Sequence, residues 1–110
     1  MKLLITGARS ITDFDLDKYV PEETELIISS GDEGIDSLAE KYADEHKISK
    51  LILRPNRIKY GNIADAMLNY EMVNLADRIL IIWDEKCEKA KKSIDVANKR
   101  FKSATVINVK

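Results

Sequence analysis

The first residues that could do chemistry follow the first apolar run of the chain. The segment Thr6-Gly7-Ala8-Arg9 comes directly after Leu3-Leu4-Ile5. Glycine lets a backbone approach a ligand closely, and free N–H groups beside an arginine suit a phosphate or a carboxylate. A glycine in this place is also common in a simple tight turn, so both interpretations stay open. The anion-binding interpretation assigns Gly7, Ala8 and Arg9 to a ligand site.

A second candidate segment, residues 29–36, follows the second apolar run and contains two glycines three residues apart. It enters the best-patterned helix of the chain, whose unpaired N–H groups and positive dipole end would favour an anion. Asp32 and Glu33 oppose this, because carboxylates repel a phosphate. Asp36 has a second interpretation, as a first-turn carboxylate that stabilises the helix itself. The site residues predicted here are Ser30, Gly31, Gly34 and Asp36.

The remaining motifs offer little catalytic chemistry. There is no dinucleotide-binding fingerprint after the first strand, no Gly-Lys-Ser or Gly-Lys-Thr loop and no His/Cys metal cluster. The single histidine, His46, is expected near an exposed helix end, and Cys87 is expected to be incidental. Asp84 follows the fourth apolar run, where it could contact a ribose hydroxyl or cap the next helix. We therefore expect no metal and no cofactor.

Short apolar runs alternate with amphipathic stretches, which predicts strands alternating with helices. Continuous apolar runs are typical of strands that are covered on both faces. The five predicted strands are 3–5, 26–28, 51–53, 79–83 and 105–109. The predicted fold is a three-layer Rossmann-like α/β sandwich with a five-stranded, mainly parallel sheet and about four helices. In such a sheet, ligands bind beyond the carboxyl ends of the strands, where the candidate residues lie.

Helical spacing predicts one apolar stripe in each of two helices, formed by Ile35, Leu38, Ala39, Tyr42 and Ala43 and by Ala90, Ile94, Ala97 and Phe101. A short first helix is expected near residues 13–19, with Thr12 and Asp15 as its capping signal.

The predicted helix over 62–76 carries two apolar stripes. The expected core stripe is Ile63, Ala66, Met67, Tyr70 and Val73. The second stripe is Ala64, Leu68, Met72 and Leu75. Loops or helix ends could cover the second stripe, or it could form a homodimer contact.

Composition sets the broad class. The chain has 110 residues, 45% of them apolar and 34% charged, with a net charge of −1. This length predicts one domain over 1–110, and the charge balance disfavours nucleic acid as a partner. One cysteine and no long apolar run predict a soluble cytoplasmic protein without a membrane partner.

A series of short blocks spread over most of the chain resembles a known family. The blocks are Gly7-Ala8-Arg9, residues 31–39, Tyr60-Gly61 with Asn69 and Met72, and Ala76-Asp77. In this order they resemble the small YspA-like members of the SLOG superfamily, named for the DNA-processing protein DprA and the LOG phosphoribohydrolases. The resemblance implies a Rossmann-like fold, often in oligomers, with a pocket for nucleotides or their derivatives. It also implies that Asn69 belongs to the ligand site.

The chain departs from the family at several positions. Leu68 stands where relatives usually carry an arginine, and Asp65 stands where they usually have glycine. The loop after the fourth strand, Lys86-Cys87-Glu88-Lys89-Ala90, has no glycine, and the phosphoribohydrolase signature Pro-Gly-Gly-x-Gly-Thr is absent. Because no catalytic constellation is complete, we expect binding rather than catalysis.

The leading hypothesis is therefore a module that binds or senses a nucleotide-like small molecule at the strand-end loops. One alternative is a hydrolase of a nucleotide or N-glycosidic bond, with Asp36 or Asp84 as acid or base. A second alternative is an oligomeric interaction protein associated with nucleic-acid processing.

Overall fold

A computed structural model describes residues 1–109. Within them, five strands form a single sheet in which every neighbouring pair is parallel, in the order β3-β2-β1-β4-β5. The strands are β1 (Lys2–Gly7), β2 (Leu26–Ser29), β3 (Ser49–Ile52), β4 (Arg78–Trp83) and β5 (Ser103–Asn108). The order places β1 beside both β2 and β4, so the chain reverses direction across the sheet after β3. This reversal is the topological switch near which such sheets bind ligands.

Helices cover both faces of the sheet. They are α1 (Ile35–Glu45), the one-turn α2 (Arg57–Tyr60), α3 (Ala64–Leu75) and α4 (Glu88–Lys99). The core around α1 contains Leu3, Ile5 and Ile27, whereas the core around α3 and α4 contains Leu4 and Ile28. Successive strand residues thus point to opposite cores, as the pleat requires. The predicted three-layer Rossmann-like α/β sandwich is confirmed, with three long helices and one short one.

The continuous apolar runs predicted the central strands correctly because β1, β2 and β4 are buried on both faces. The outer strands differ from prediction by one or two residues at their ends. β3 begins at Ser49 and β5 at Ser103, where the side chains are exposed and polarity gives no sign of a strand.

The predicted first helix over 13–19 is wrong. The segment holds only a 3-10 turn, Leu16–Lys18, and its cap is Asp15, whose carboxylate accepts a hydrogen bond from the Asp17 N–H. Leu16 is the only fully buried residue between 9 and 23. A single buried residue supplies no apolar stripe, so packing does not sustain a longer helix.

The faces of α3 are reversed relative to the prediction. Ala64, Leu68 and Met72, placed on the second stripe, are buried in the core with Val73. The expected core residues Ile63 and Tyr70 are 56% and 40% exposed. Of the stripe proposed as a dimer contact, Leu75 alone is exposed, so this stripe is not a free surface. Self-association of the chain stays a separate prediction.

The stripe of α1 is confirmed, since Ile35, Ala39 and Ala43 are fully buried. The stripe of α4 is confirmed at Ala90 and Ala97, but Phe101 lies beyond the end of the helix, has φ +54° and is 96% exposed. None of the helices within residues 1–109 is both long and apolar enough to cross a membrane.

Candidate functional site

The loops after β1 and β2 pack against each other through their backbones at the carboxyl edge of the sheet. A Cβ atom on Gly7 would overlap the carbonyl oxygen of Ile82 on β4, and one on Gly34 would overlap that of Ala8. The Ala8 N–H donates to the Ile82 carbonyl at 2.9 Å, and the Ile35 N–H donates to the Ala8 carbonyl at 3.2 Å. Ala8 and Gly34 therefore join the two loops, whereas Gly7 lies against β4. Both glycines occur where backbones meet.

Several N–H groups of the loop that leads into α1 donate hydrogen bonds to oxygen atoms of the same loop. The Gly31 N–H donates to the Ser29 hydroxyl at 3.1 Å, and the Glu33 N–H donates to the Asp32 carboxylate at 2.8 Å. Gly31 has φ +67°, which turns the chain between these bonds. The expected cradle of free N–H groups is thus largely occupied by local oxygens, so anion recognition here depends on side chains.

Side chains from the loops after β1 and β2 and from the first turns of α1 and α4 form one ionic network at the carboxyl edge of the sheet. The Arg9 guanidinium donates two hydrogen bonds, of 3.0 and 2.7 Å, to Oδ2 of Asp32. Lys89, in the first turn of α4, lies 2.8 Å from Asp36 and 3.5 Å from Asp32. Ser30 donates a hydrogen bond to the same Asp36 oxygen. The network therefore brings together three of the predicted site residues, Arg9, Ser30 and Asp36, and adds Asp32 and Lys89, which were not predicted as site residues.

Asp36 is fully buried beneath this network. Its Oδ2 is bonded to Ser30 and Lys89, whereas Oδ1 has no hydrogen-bond partner within residues 1–109. Buried polar atoms without partners are rare in folded proteins and often mark functional positions. The position of Lys89 also stabilises the buried carboxylate, since a buried charge without a partner is costly.

The network sets the ionisation of its exposed members. Burial raises the pKa of Asp32, but hydrogen bonds from the Glu33 N–H and Arg9, and the charge of Lys89, outweigh it and lower the pKa overall. The hydrogen bond to Asp32 raises the pKa of Arg9. At neutral pH, Asp32 is a carboxylate and Arg9 a cation, so Asp32 occupies the side of Arg9 that an anionic ligand would also seek.

A cavity of about 470 Å³ opens beside this network. Its wall comes from the loops after β1, β2 and β3 and from the facing sides of α3 and α4. The basic lining residues are Arg9, Arg54, Arg57, Lys89 and Lys92, and the acidic ones are Asp32 and Asp65. The apolar part consists of Pro55, Ala66, Leu68 and Met72. A volume of this size is typical of small-molecule sites, and the surplus of basic groups favours an anion.

Asn69 lines this cavity. Its Oδ1 accepts a hydrogen bond of 2.8 Å from Ser93, a buried serine of α4. The bond fixes the amide orientation, and Nδ2 makes no hydrogen bond within residues 1–109, so it can donate to a ligand. Leu68 lies in the wall of the cavity and belongs to its apolar part.

Asp84 lies at the carboxyl edge but outside the cavity lining. It accepts a hydrogen bond from the Lys86 N–H at 2.9 Å, which lowers its pKa, and a longer one of 3.4 Å from Ser10. The helix α4 begins after Cys87, whose side chain makes no capping bond. Asp84 thus organises the turn before α4 and lies three residues before the cap position, Cys87.

Of the nine predicted site residues, the cavity lining includes Arg9, Ser30 and Asn69. Asp36 lies beneath it, whereas the loops after β1 and β2 hold four predicted residues that are not in the lining: Gly7, Ala8, Gly31 and Gly34. Arg54 and Arg57 were not predicted as site residues, because the predicted site was confined to residues near the ends of β1, β2 and β4 and to Asn69. The signal was present: three basic residues follow β3 within Arg54–Lys59, and the end of a parallel strand lies at the same edge as its neighbours.

No group of three or more His, Cys, Asp and Glu side chains in residues 1–109 is placed to hold a metal ion. Comparison of the chain with protein-family models, with curated proteins and with solved structures gives no significant match.

Proposed function

We propose that this protein binds a nucleotide or a nucleotide-derived small molecule in the cavity at the carboxyl edge of its sheet. The observation that carries the proposal is the charge of the lining. Five basic side chains and two acidic ones surround a single cavity in a chain whose net charge is −1. Basic groups gathered in a cleft attract anions more strongly than the same groups spread over a surface.

The uncharged part of the cavity supports the same class of ligand. The apolar lining provides a wall on which the flat face of a base could pack, and its accessible part is Pro55 and Ala66. Asn69 presents an amide donor to the same cavity. Binding sites for small organic molecules commonly combine apolar walls with a few polar groups that fix orientation. The resemblance to YspA-like SLOG proteins points to nucleotide-like ligands as well.

Binding has more support than hydrolysis. The cavity carboxylates, Asp32 and Asp65, are both paired with arginines, at 2.7 and 3.1 Å. The pKa values of Asp32 and Asp84 are lowered, so these carboxylates are ionised at neutral pH and are poor proton donors. The hydrolase alternative would depend on Asp36, which is already held by Ser30 and Lys89.

The proposal is tested by thermal unfolding with a panel of adenine and guanine nucleotides and ADP-ribose. A ligand at about 100 times its Kd is expected to raise Tm by roughly 10 °C. Arg9→Ala should abolish the shift, because it removes a forked donor from the wall of the cavity.

Arg78→Ala is the matched control. Arg78 is also an exposed arginine paired with a carboxylate, Glu23, but it lies at the amino end of β4, away from the cavity. It should leave the ligand-induced shift unchanged. A panel in which no compound changes Tm would overturn the proposed function.

A further inference from the structure

Two of the basic residues that line the cavity form no ion pair with a carboxylate of residues 1–109. Arg9 is paired with Asp32, Lys89 with Asp36, and Arg57 with Asp65. Arg54 and Lys92, in contrast, have no carboxylate within 4.0 Å in residues 1–109, although both are exposed and line the same cavity. A cation without an internal partner keeps its full attraction for an incoming anion.

The basic residues are spread along the cavity. Arg9 follows β1 and Arg54 follows β3, and these strands are separated by β2. Two strand spacings amount to about 10 Å, which is more than one phosphate group can span. Lys92 lies three residues after Lys89 on α4, about one helical turn further along the same wall. The cations therefore enter the cavity from separate elements of the fold and not from a single loop.

We infer that Arg54 and Lys92, with Arg57 beside them, form a second anion subsite, distinct from that of Arg9 and Lys89. This inference rests on the proposed function. It restricts the ligand to a molecule with two separated phosphate groups, joined by an uncharged part that lies over Pro55 and Ala66. Arg54 also reaches the loop after β2, since its Nη2 is 3.2 Å from the position of a Cβ on Gly31. The second subsite thus borders the first along that loop.

The test compares adenosine 5′-monophosphate with adenosine 3′,5′-bisphosphate, which adds one phosphate at the opposite side of the ribose. Isothermal titration of the whole chain should give a Kd for the bisphosphate about tenfold lower or more, as one added charge-assisted contact predicts. In the double variant Arg54→Gln/Lys92→Gln this advantage should disappear, so that the Kd values of the two compounds lie within about twofold of each other. Both residues are exposed, so the variant should fold.

Lys91→Gln/Lys99→Gln is the matched control, because both lysines are exposed residues of α4 outside the cavity lining. It should keep the full preference for the bisphosphate. Equal Kd values for the two compounds in the wild type would overturn the second subsite but leave the proposed function standing. An equal increase in the Kd of both compounds in the Arg54/Lys92 variant would also overturn the second subsite. If neither compound binds, the proposed function fails and the subsite fails with it.

Discussion

At the scale of single residues, Asp32 contacts both Arg9 and Lys89, the two cations nearest the ends of β1 and β4. Its carboxylate therefore holds a position that a phosphate oxygen could take. Burial raises the pKa of Asp32, whereas its hydrogen bonds and the charges of Lys89 and Arg9 lower it, and the net result is a lowered pKa. Under the proposed function, Asp32 would compete with an anionic ligand for these two cations.

Asp32→Asn is expected to strengthen binding of adenosine 5′-monophosphate by roughly fivefold, equivalent to about 1 kcal/mol. The asparagine oxygen can still accept the Glu33 N–H bond, whereas the negative charge is lost. The free energy of unfolding should fall by up to about 1 kcal/mol, because the pair with Arg9 is partly exposed. Titration calorimetry and urea denaturation measure the two effects.

Asp95→Asn is the control, since it removes an exposed pair with Lys91 outside the cavity. Weaker binding by Asp32→Asn would contradict the prediction and indicate that Asp32 contacts a hydroxyl of the ligand directly.

At the scale of loops and helices, two glycines have nearly the same unusual backbone conformation but different surroundings. Gly34 has φ 76° and ψ −131°, and Gly61 has φ 53° and ψ −124°. A Cβ on Gly34 would meet the Ala8 carbonyl and lie 2.6 Å from Cα of Arg9, whereas one on Gly61 would meet nothing within 4 Å. Comparing substitutions at Gly34 and Gly61 therefore separates the cost of backbone strain from the cost of steric contact.

Gly61→Ala should lower the free energy of unfolding by about 1–3 kcal/mol through backbone strain alone. Gly34→Ala should cost roughly 1–3 kcal/mol more, because the two loops must also move apart. It should in addition weaken nucleotide binding, since the displaced loop carries Arg9. Urea denaturation and calorimetry test both variants, and equal losses of stability would mean that the loop contact is unimportant.

The buried face of α3 could not be predicted from its apolar pattern. Its apolar residues surround most of the helix, so the 3.6-residue period gives two stripes of similar strength. The choice between them depends on contacts with the sheet and with α4, which the sequence of α3 alone does not contain. The stripe of α1 was predictable because its opposite side is charged, with Glu40 and Lys41 among the residues there.

At the scale of the whole molecule, three aspartates with lowered pKa values accept hydrogen bonds from backbone N–H groups. Asp77 is bonded to Lys2 at 2.8 Å, Asp84 to Lys86 at 2.9 Å and Asp32 to Glu33 at 2.8 Å. A lowered folded-state pKa means that the native protein binds fewer protons than the unfolded chain. The resulting stability is present above the unfolded pKa of about 4 and is lost as the pH falls through the lowered folded value.

We expect the free energy of unfolding to decrease as the pH falls below about 4. In Asp77→Asn this decrease should be smaller, because the amide oxygen still accepts the Lys2 N–H bond but does not titrate in this range. Urea denaturation at pH 7, 5, 4 and 3 measures the dependence. Asp13→Asn, at an exposed aspartate without a hydrogen bond in residues 1–109, should match the wild type. An Asp77→Asn curve as steep as the wild-type curve would contradict the assignment.

The layer architecture was predictable because a parallel sheet buries its central strands and leaves a clear apolar signature in β1, β2 and β4. The cavity was predictable in part. Arg9 and Ser30 follow strands that are clear from the sequence. Lys92 lines the cavity only because α4 packs against α3, and this packing brings together residues that are distant in the chain. Lys89 is recognisable only once Asp36 is known to be buried beneath it.

The contact between the first two loops also has a kinetic consequence. The Ile35 N–H bond to the Ala8 carbonyl holds Arg9 and the start of α1 together before any ligand arrives. Because these loops need no closing motion, little conformational entropy is lost when they engage a ligand. Association would then be limited by diffusion and by the attraction of the basic lining, so the on-rate would slow as ionic strength rises while the dissociation rate changes little.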